Sequence, residues 1–238
     1  MNNKVIYTAI FGKYDKLKEP RVIPEGFDFI CFTDQDFVSD IWNVRKVKRE
    51  FDDSTRCARQ IKVLPHKCLP EYEYSIWTDG NVIINGDMNL LLDKYLEHHD
   101  LATFDHVYTK PDSRDCIYEE AKAIISMNKT NYKDNEEIIR NQIKKYKEEG
   151  YPYNYGLVHS AVLFRRHNIA SVVQLMEAWW GQIKNYSRRD QLSFNYVVWA
   201  NKFKFYLIKE NLRTFNFFVY VTHKNKSLFL KIKKIFRL

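Results

Sequence analysis

Residues 4–11, KVIYTAIF, are dense in β-branched and aromatic side chains and stop at Gly12; residues 27–33, FDFICFT, repeat the pattern after Pro24 and Gly26. Runs of this length and composition, bounded by turn residues, predict largely buried strands. Residues 54–64, STRCARQIKVL, open on a helix-capping residue, continue in good helix formers and halt at Pro65. A third strand is expected from Tyr74 to Trp77 and a short fourth from Val82 to Ile84. Further on, helix is predicted over 90–98, strand over 101–104, helix over 118–146, strand over 160–164, and helices over 169–183 and 190–200. Strands alternating with helices predict an α/β fold with a mixed, mostly parallel sheet flanked by helices.

At 238 residues and 45% hydrophobic, the chain suits one sizeable core. An aromatic content of 16% excludes a disordered chain. No apolar run reaches the roughly 18 residues that a membrane-spanning helix needs. Cys31, Cys57, Cys68 and Cys116 are scattered without a C-x-x-C pair, so a zinc site or disulfide framework is not expected and a reducing, cytoplasmic setting fits best.

The net charge of +8 is concentrated at one end. Residues 224–238 hold six basic residues and no acidic one; the rest of the chain carries 32 basic residues against 30 acidic. A nucleic-acid partner is therefore not expected. The division predicted is a domain over 1–222 and a basic amphipathic tail over 223–238. Leu228, Ile232, Ile235 and Phe236 fall at helical spacing between lysines, the pattern of a helix lying on an anionic membrane surface. A terminal helix packed on the domain is the alternative.

In such sheets ligands bind where the strands' carboxyl ends meet the following loops. Those ends bring forward Gly12 to Asp15 after the first strand, Asp34 after the second, Asp79-Gly80-Asn81 after the third, and Asp105-His106 later. No G-x-G-x-x-G or P-loop motif follows any of them, which removes dinucleotide and P-loop sites. Asp79 and Asn81 supply two oxygens at a strand end, the arrangement that can hold Mg or Mn against a diphosphate. The same tripeptide also makes an ordinary tight turn, with Gly80 allowing the backbone to bend. Arg56, Arg59 and Lys62, three apart on a helix, can meet a diphosphate or simply face water.

Several segments taken in order resemble a known family. IYTAIFGKYDKLKEP, RCARQIKVLPHKCLP, YSIWTDGN, ATFDH, CIYEEA, AVLFRRHN and SRRDQLSFNYVVW look like the glycosyltransferase-like domain shared by plant turgor-regulation-defect and mucilage-related proteins, across residues 4–199. The layout is also distantly similar to family-8 glycosyltransferases. The resemblance implies a GT-A-like fold acting on a nucleotide-diphosphate sugar donor and a hydroxyl of a glycan or glycolipid acceptor, as a hexosyltransferase of surface polysaccharide synthesis.

It also implies site roles. Asp79, Asn81 and His223 would be metal ligands for Mn or Mg, with Asn81 standing where family-8 enzymes have a second aspartate. Asp190, Gln191 and Glu119 would be catalytic or sugar-binding, although an acidic residue opening a helix also serves the helix dipole. Thr8, Tyr14, Asp34, Arg56, Arg59, Lys62, Arg189 and Lys224 would bind substrate. The alternative is a non-catalytic module of the same fold that binds a glycan or a membrane. On the transferase reading, the tail would hold the protein at the inner face of a membrane.

Overall fold

A strand buried at every residue, β7 (Val158–Arg165), lies inside the sheet that organises the molecule. The computed structural model describes residues 2–12, 15–128 and 133–221. The remaining strands of the main sheet are β1 (Lys4–Ile10), β2 (Phe27–Thr33), β3 (Asn43–Lys46), β4 (Tyr74–Thr78), β6 (Leu101–Asp105) and β8 (Tyr206–Ile208). They run in the order β3-β2-β1-β4-β7-β6-β8. Every pairing is parallel except the two that β7 makes, with β4 and with β6. The mixed, mostly parallel sheet expected from the sequence is present. A second sheet pairs β5 (Val82–Ile84) with β9 (Phe218–Tyr220), antiparallel.

Alternation along β1 distributes the core over both faces of the sheet. Val5, Tyr7 and Ala9 join one cluster with Trp77, Leu163, Met176 and Trp179. Ile6 and Ile10 join the other with Ile76, Phe164 and Phe218. The first face is covered by α1 (Ser54–Val63), α6 (Ala170–Asn185) and α7 (Gln191–Ala200), the second by α3 (Met88–Leu96) and the small sheet. Among the described residues, no helix is long and apolar enough to cross a membrane.

Several boundaries differ from those predicted. The helix expected over 118–146 is two helices, α4 (Ile117–Asn128) and α5 (Glu136–Glu148). The break has side-chain causes. Asn128 Oδ1 accepts from the Lys133 amide at 2.6 Å, and Asn135 caps α5 by accepting from the Glu137 and Ile138 amides; amide side chains compete with helical backbone bonds in this way. At α1 the cap is Asp53, which accepts from the Thr55 amide, one residue before the predicted Ser54. The short turn of helix α2 (Pro65–Cys68) and the strands β3, β8 and β9 carry too little periodicity to be foreseen.

Phe164 is fully buried, at 0% exposure, between α3 and the small sheet. Phe164→Ala is expected to cost about 3–5 kcal/mol of stability, because the cavity left in a packed core refills only in part. Val38→Ser, at a position 94% exposed, should stay within about 0.5 kcal/mol of the parent. Urea denaturation followed by circular dichroism measures both.

Candidate active site at the carboxyl edge of the sheet

Because β1, β2, β4 and β6 are parallel, their carboxyl ends share one edge, and antiparallel β7 delivers its first residues to the same place. Asp79 follows β4 directly and is stitched to β7 by its amide, which donates to the Ala161 carbonyl at 2.8 Å. Its carboxylate Oδ1 receives Trp77 Nε1 at 2.8 Å, with Arg59 Nη1 at 3.3 Å and Lys62 Nζ at 3.6 Å. Trp77 and Asp79 are two residues apart on extended chain, which puts them on one face.

Asp190 approaches the same cations from the start of α7. Its Oδ2 lies 2.5 Å from Lys62 Nζ and accepts from Ser160 Oγ at 2.8 Å, while Oδ1 lies 3.1 Å from Arg59 Nε. The Asp190 carbonyl is held by Trp179 Nε1 at 3.0 Å. Although Asp190 sits at the helix N-terminus, its side chain makes no capping bond. The carboxylate is spent on Lys62, Ser160 and Arg59.

Electrostatics follow from this geometry. Burial by itself would raise both carboxyls. For Asp190 the Arg59 and Lys62 charges outweigh that and hold it well below the usual carboxylate range; for Asp79, Lys62 and then Arg59 do the same. Lys62, with no exposed surface, is pulled down by burial and partly restored by Asp190 and Asp79. The result is a chain of alternating charge, Asp79–Lys62–Asp190–Arg59, at the strand ends, with Lys62 and Asp190 buried and its two outer members half-buried.

The remaining predicted residues have different surroundings. Arg59 and Lys62 meet in the cluster, but Arg56 turns away, donating from Nε to the Ile183 carbonyl at 3.1 Å and from Nη2 to the Tyr186 carbonyl at 2.6 Å. It satisfies the end of α6, where carbonyls lack helical partners. Asp34 accepts from the Gly12 amide at 2.9 Å and pairs with Arg49 Nε at 2.9 Å, so it sits beside the loop after β1. Thr8 is buried and its hydroxyl has no partner among the described residues. Gln191 donates from Nε2 to the Val158 carbonyl at 2.9 Å, tying α7 to the start of β7. Arg189 Nε is buried without a partner among the described residues. Glu119 lies on the surface of α4, 2.9 Å from Lys122. Tyr14, His223, Lys224 and the tail lie outside the described residues.

The turn at Asp79-Gly80-Asn81 is tight, with the Val82 amide donating to the Asp79 carbonyl at 2.8 Å, but it does not form a hairpin: β5 leaves for β9. Nor does Gly80 serve by adopting a left-handed conformation, as its φ is not positive. A Cβ there would come within 3.2 Å of the Ile10 side chain, which would have to give by a few tenths of an ångström, so close packing favours glycine. Asn81 donates from Nδ2 to the Val221 carbonyl at 3.1 Å, while its Oδ1 is buried without a partner among the described residues.

That unpartnered oxygen and Asp79 Oδ2, which receives none of the three donors, are the two protein oxygens that would be offered to a Mg or Mn ion. No cluster of three or more His, Cys, Asp or Glu suited to a metal occurs among the described residues. Two protein oxygens suffice only for an ion that takes most of its shell from water and substrate phosphate, which is how Mg commonly binds. Trp77 and Trp179 were not singled out as site residues from the sequence. Of these, Trp77 carried a readable signal in its two-residue offset from Asp79. His159 also lies at this edge, its Nδ1 3.1 Å from Thr109 Oγ1, and burial with His106 alongside pushes it down to about 3, leaving the imidazole neutral.

Asp190→Asn leaves Lys62 buried with a lost charge partner, and is expected to destabilise the fold by about 3–5 kcal/mol at pH 7. Since Asp190 binds its proton more weakly folded than unfolded, its contribution is present above about pH 4 and fades as pH falls further. The stability gap between parent and variant should therefore narrow in acid, as measured by urea denaturation from pH 7 to pH 3.

Over 221 residues the chain is 27% identical to an Arabidopsis thaliana protein described as a probable hexosyltransferase, MUCI70, covering 81% of this chain and 36% of that one. The chain thus spans about a third of that relative's length. A crystal structure of a glycosyltransferase involved in glycosylation of the major capsid of PBCV-1 superposes with a TM-score of 0.50 at 10% identity, over 97% of this chain and 98% of the other. The shared architecture is GT-A-like. The family described as TOD1/MUCI70, glycosyltransferase-like domain, matches residues 1–232. The chain belongs to the TOD1/MUCI70 glycosyltransferase-like domain family.

Proposed function

We propose that this protein transfers a hexose from a nucleotide-diphosphate donor to a hydroxyl of a glycan or glycolipid acceptor, in the making of a surface polysaccharide. The observation that carries this reading is the convergence of Asp79 and Asp190, from β4 and α7, on the shared cations Lys62 and Arg59 at the carboxyl edge of the sheet. Open α/β sheets bind their ligands at that edge.

Transfer breaks the bond between the anomeric carbon and the phosphate oxygen, whose electron pair leaves with the diphosphate, joins that carbon to the acceptor oxygen, and passes the acceptor hydroxyl's proton to the departing diphosphate. Negative charge develops on the leaving group, and fixed cations there lower the barrier. Arg59 and Arg189, the latter with a buried unpartnered Nε, are the guanidiniums suited to it. A Mg or Mn ion held by Asp79 and Asn81 would add charge neutralisation on the diphosphate. Asp190 is a poor proton acceptor because its neighbours hold it ionised, and a useful base needs an affinity near the working pH. Its role is to accept hydrogen bonds from donor sugar hydroxyls. Asp34 and Thr8 would flank the nucleoside, and the segment 223–238 would bring His223 and Lys224 and touch an anionic inner membrane face.

Calorimetry against UDP-, GDP- and ADP-hexoses, with and without MnCl2, should find at least one that binds; binding of none would overturn the proposal. Asp79→Ala should abolish the slow hydrolysis of the donor that binds, measured as free nucleoside diphosphate. The amide at Asn81, in place of a second carboxylate, favours a second reading as a non-catalytic binding module. Parent and Asp79→Ala proteins that are equally inert towards a bound donor would establish that alternative. On the donor set described, Mn titrated alone should bind far more weakly than Mn titrated with nucleoside diphosphate present, by a factor of about 10 or more, since phosphate oxygens complete the shell.

A further inference from the structure

The loop that enters β7 displays two tyrosines that the chemistry above does not use. Tyr153 and Tyr155 are 52% and 50% exposed, although most aromatic residues of this chain are buried or half-buried. The backbone is shaped for display: Asn154 between them and Gly156 after them both have positive φ, at 52° and 89°. Asparagine and glycine are the residues that adopt this conformation most readily.

Both rings are held in place from beneath. Tyr153 stacks on buried Tyr118, with centroids 4.6 Å apart and planes at 21°. Tyr155 meets Tyr151 edge-on at 5.8 Å, and Tyr151 packs at 5.5 Å against Trp199 of α7, the helix that begins after Asp190. On the same surface Lys122 faces both the Tyr153 hydroxyl and Glu119. The loop continues without interruption into β7, whose Ser160 bonds Asp190. Five residues separate Tyr155 from Ser160, a span of at most about 17 Å in extended chain.

We infer that Tyr153 and Tyr155, with Glu119 beside them, form a binding platform for the acceptor glycan. The C–H face of a pyranose ring carries slight positive charge and packs on the electron-rich face of an aromatic ring, while a carboxylate accepts from sugar hydroxyls. Rigid exposed aromatics backed by packed ones bind with little loss of side-chain freedom. The occupant is a neutral oligosaccharide that runs from this platform towards Asp190. The inference rests on the transferase reading, and its test separates the two.

Saturation-transfer NMR and calorimetry would be run with cello-, xylo-, manno- and galacto-oligosaccharides of four to six units. The unaltered protein should bind at least one, and Tyr153→Ala/Tyr155→Ala should weaken that binding by about tenfold or more, as loss of two stacking contacts requires. Tyr153→Phe, which keeps the ring on Tyr118, should retain it. Binding of nucleoside diphosphate to the double variant, by calorimetry, should match the unaltered protein. Failure of every oligosaccharide to bind, or equal binding by the double variant, would overturn the platform while leaving the donor reading to its own test.

Discussion

A lysine with no exposed surface, placed between two carboxylates that lie far apart in the chain, is the interaction on which this architecture turns. Lys62 comes from α1, Asp79 from the end of β4 and Asp190 from the start of α7. An isolated buried ammonium would be prohibitively costly, and so would either carboxylate without it. The three elements must therefore arrive together. The pairing specifies how α1 and α7 sit over the sheet, and it leaves charged groups at the carboxyl edge of the sheet.

The indole groups extend this arrangement. Trp77 donates to Asp79 and Trp179 to the Asp190 backbone, so each acidic residue is fixed by a large ring that also belongs to the core. Packing and polarity are thus coupled: the side chains that fill the layer beneath the helices also orient the site. A polar network of this kind is stable only if its members are satisfied, and among the described residues Asn81 Oδ1 and Arg189 Nε are left without a hydrogen-bond partner.

Much of the frame was legible from local pattern. The apolar density of residues 4–11 and 27–33 marked strands because both faces of those strands are covered, and Pro65 marked the end of α1 because it cannot continue a helix. Asp79 was legible as a strand-end carboxylate. Other features were not. Asn128 and Asn135 divided a stretch whose composition favours one long helix, through side-chain bonds that periodicity does not encode. Arg56, Arg59 and Lys62 share a spacing but not a role: the first closes α6 while the others enter the charge cluster.

The sequence by itself determined the α/β class, the buried strands, the polar residues at their carboxyl ends and the family likeness, because these rest on short-range composition and order. Only the tertiary structure decided that β7 runs antiparallel and so brings Ser160 to Asp190, that Asp190 pairs with Lys62 and Arg59 instead of capping its helix, and that Gly80 lies against the Ile10 side chain. Those outcomes depend on partners many residues away, which burial and charge pairing select once the sheet has formed.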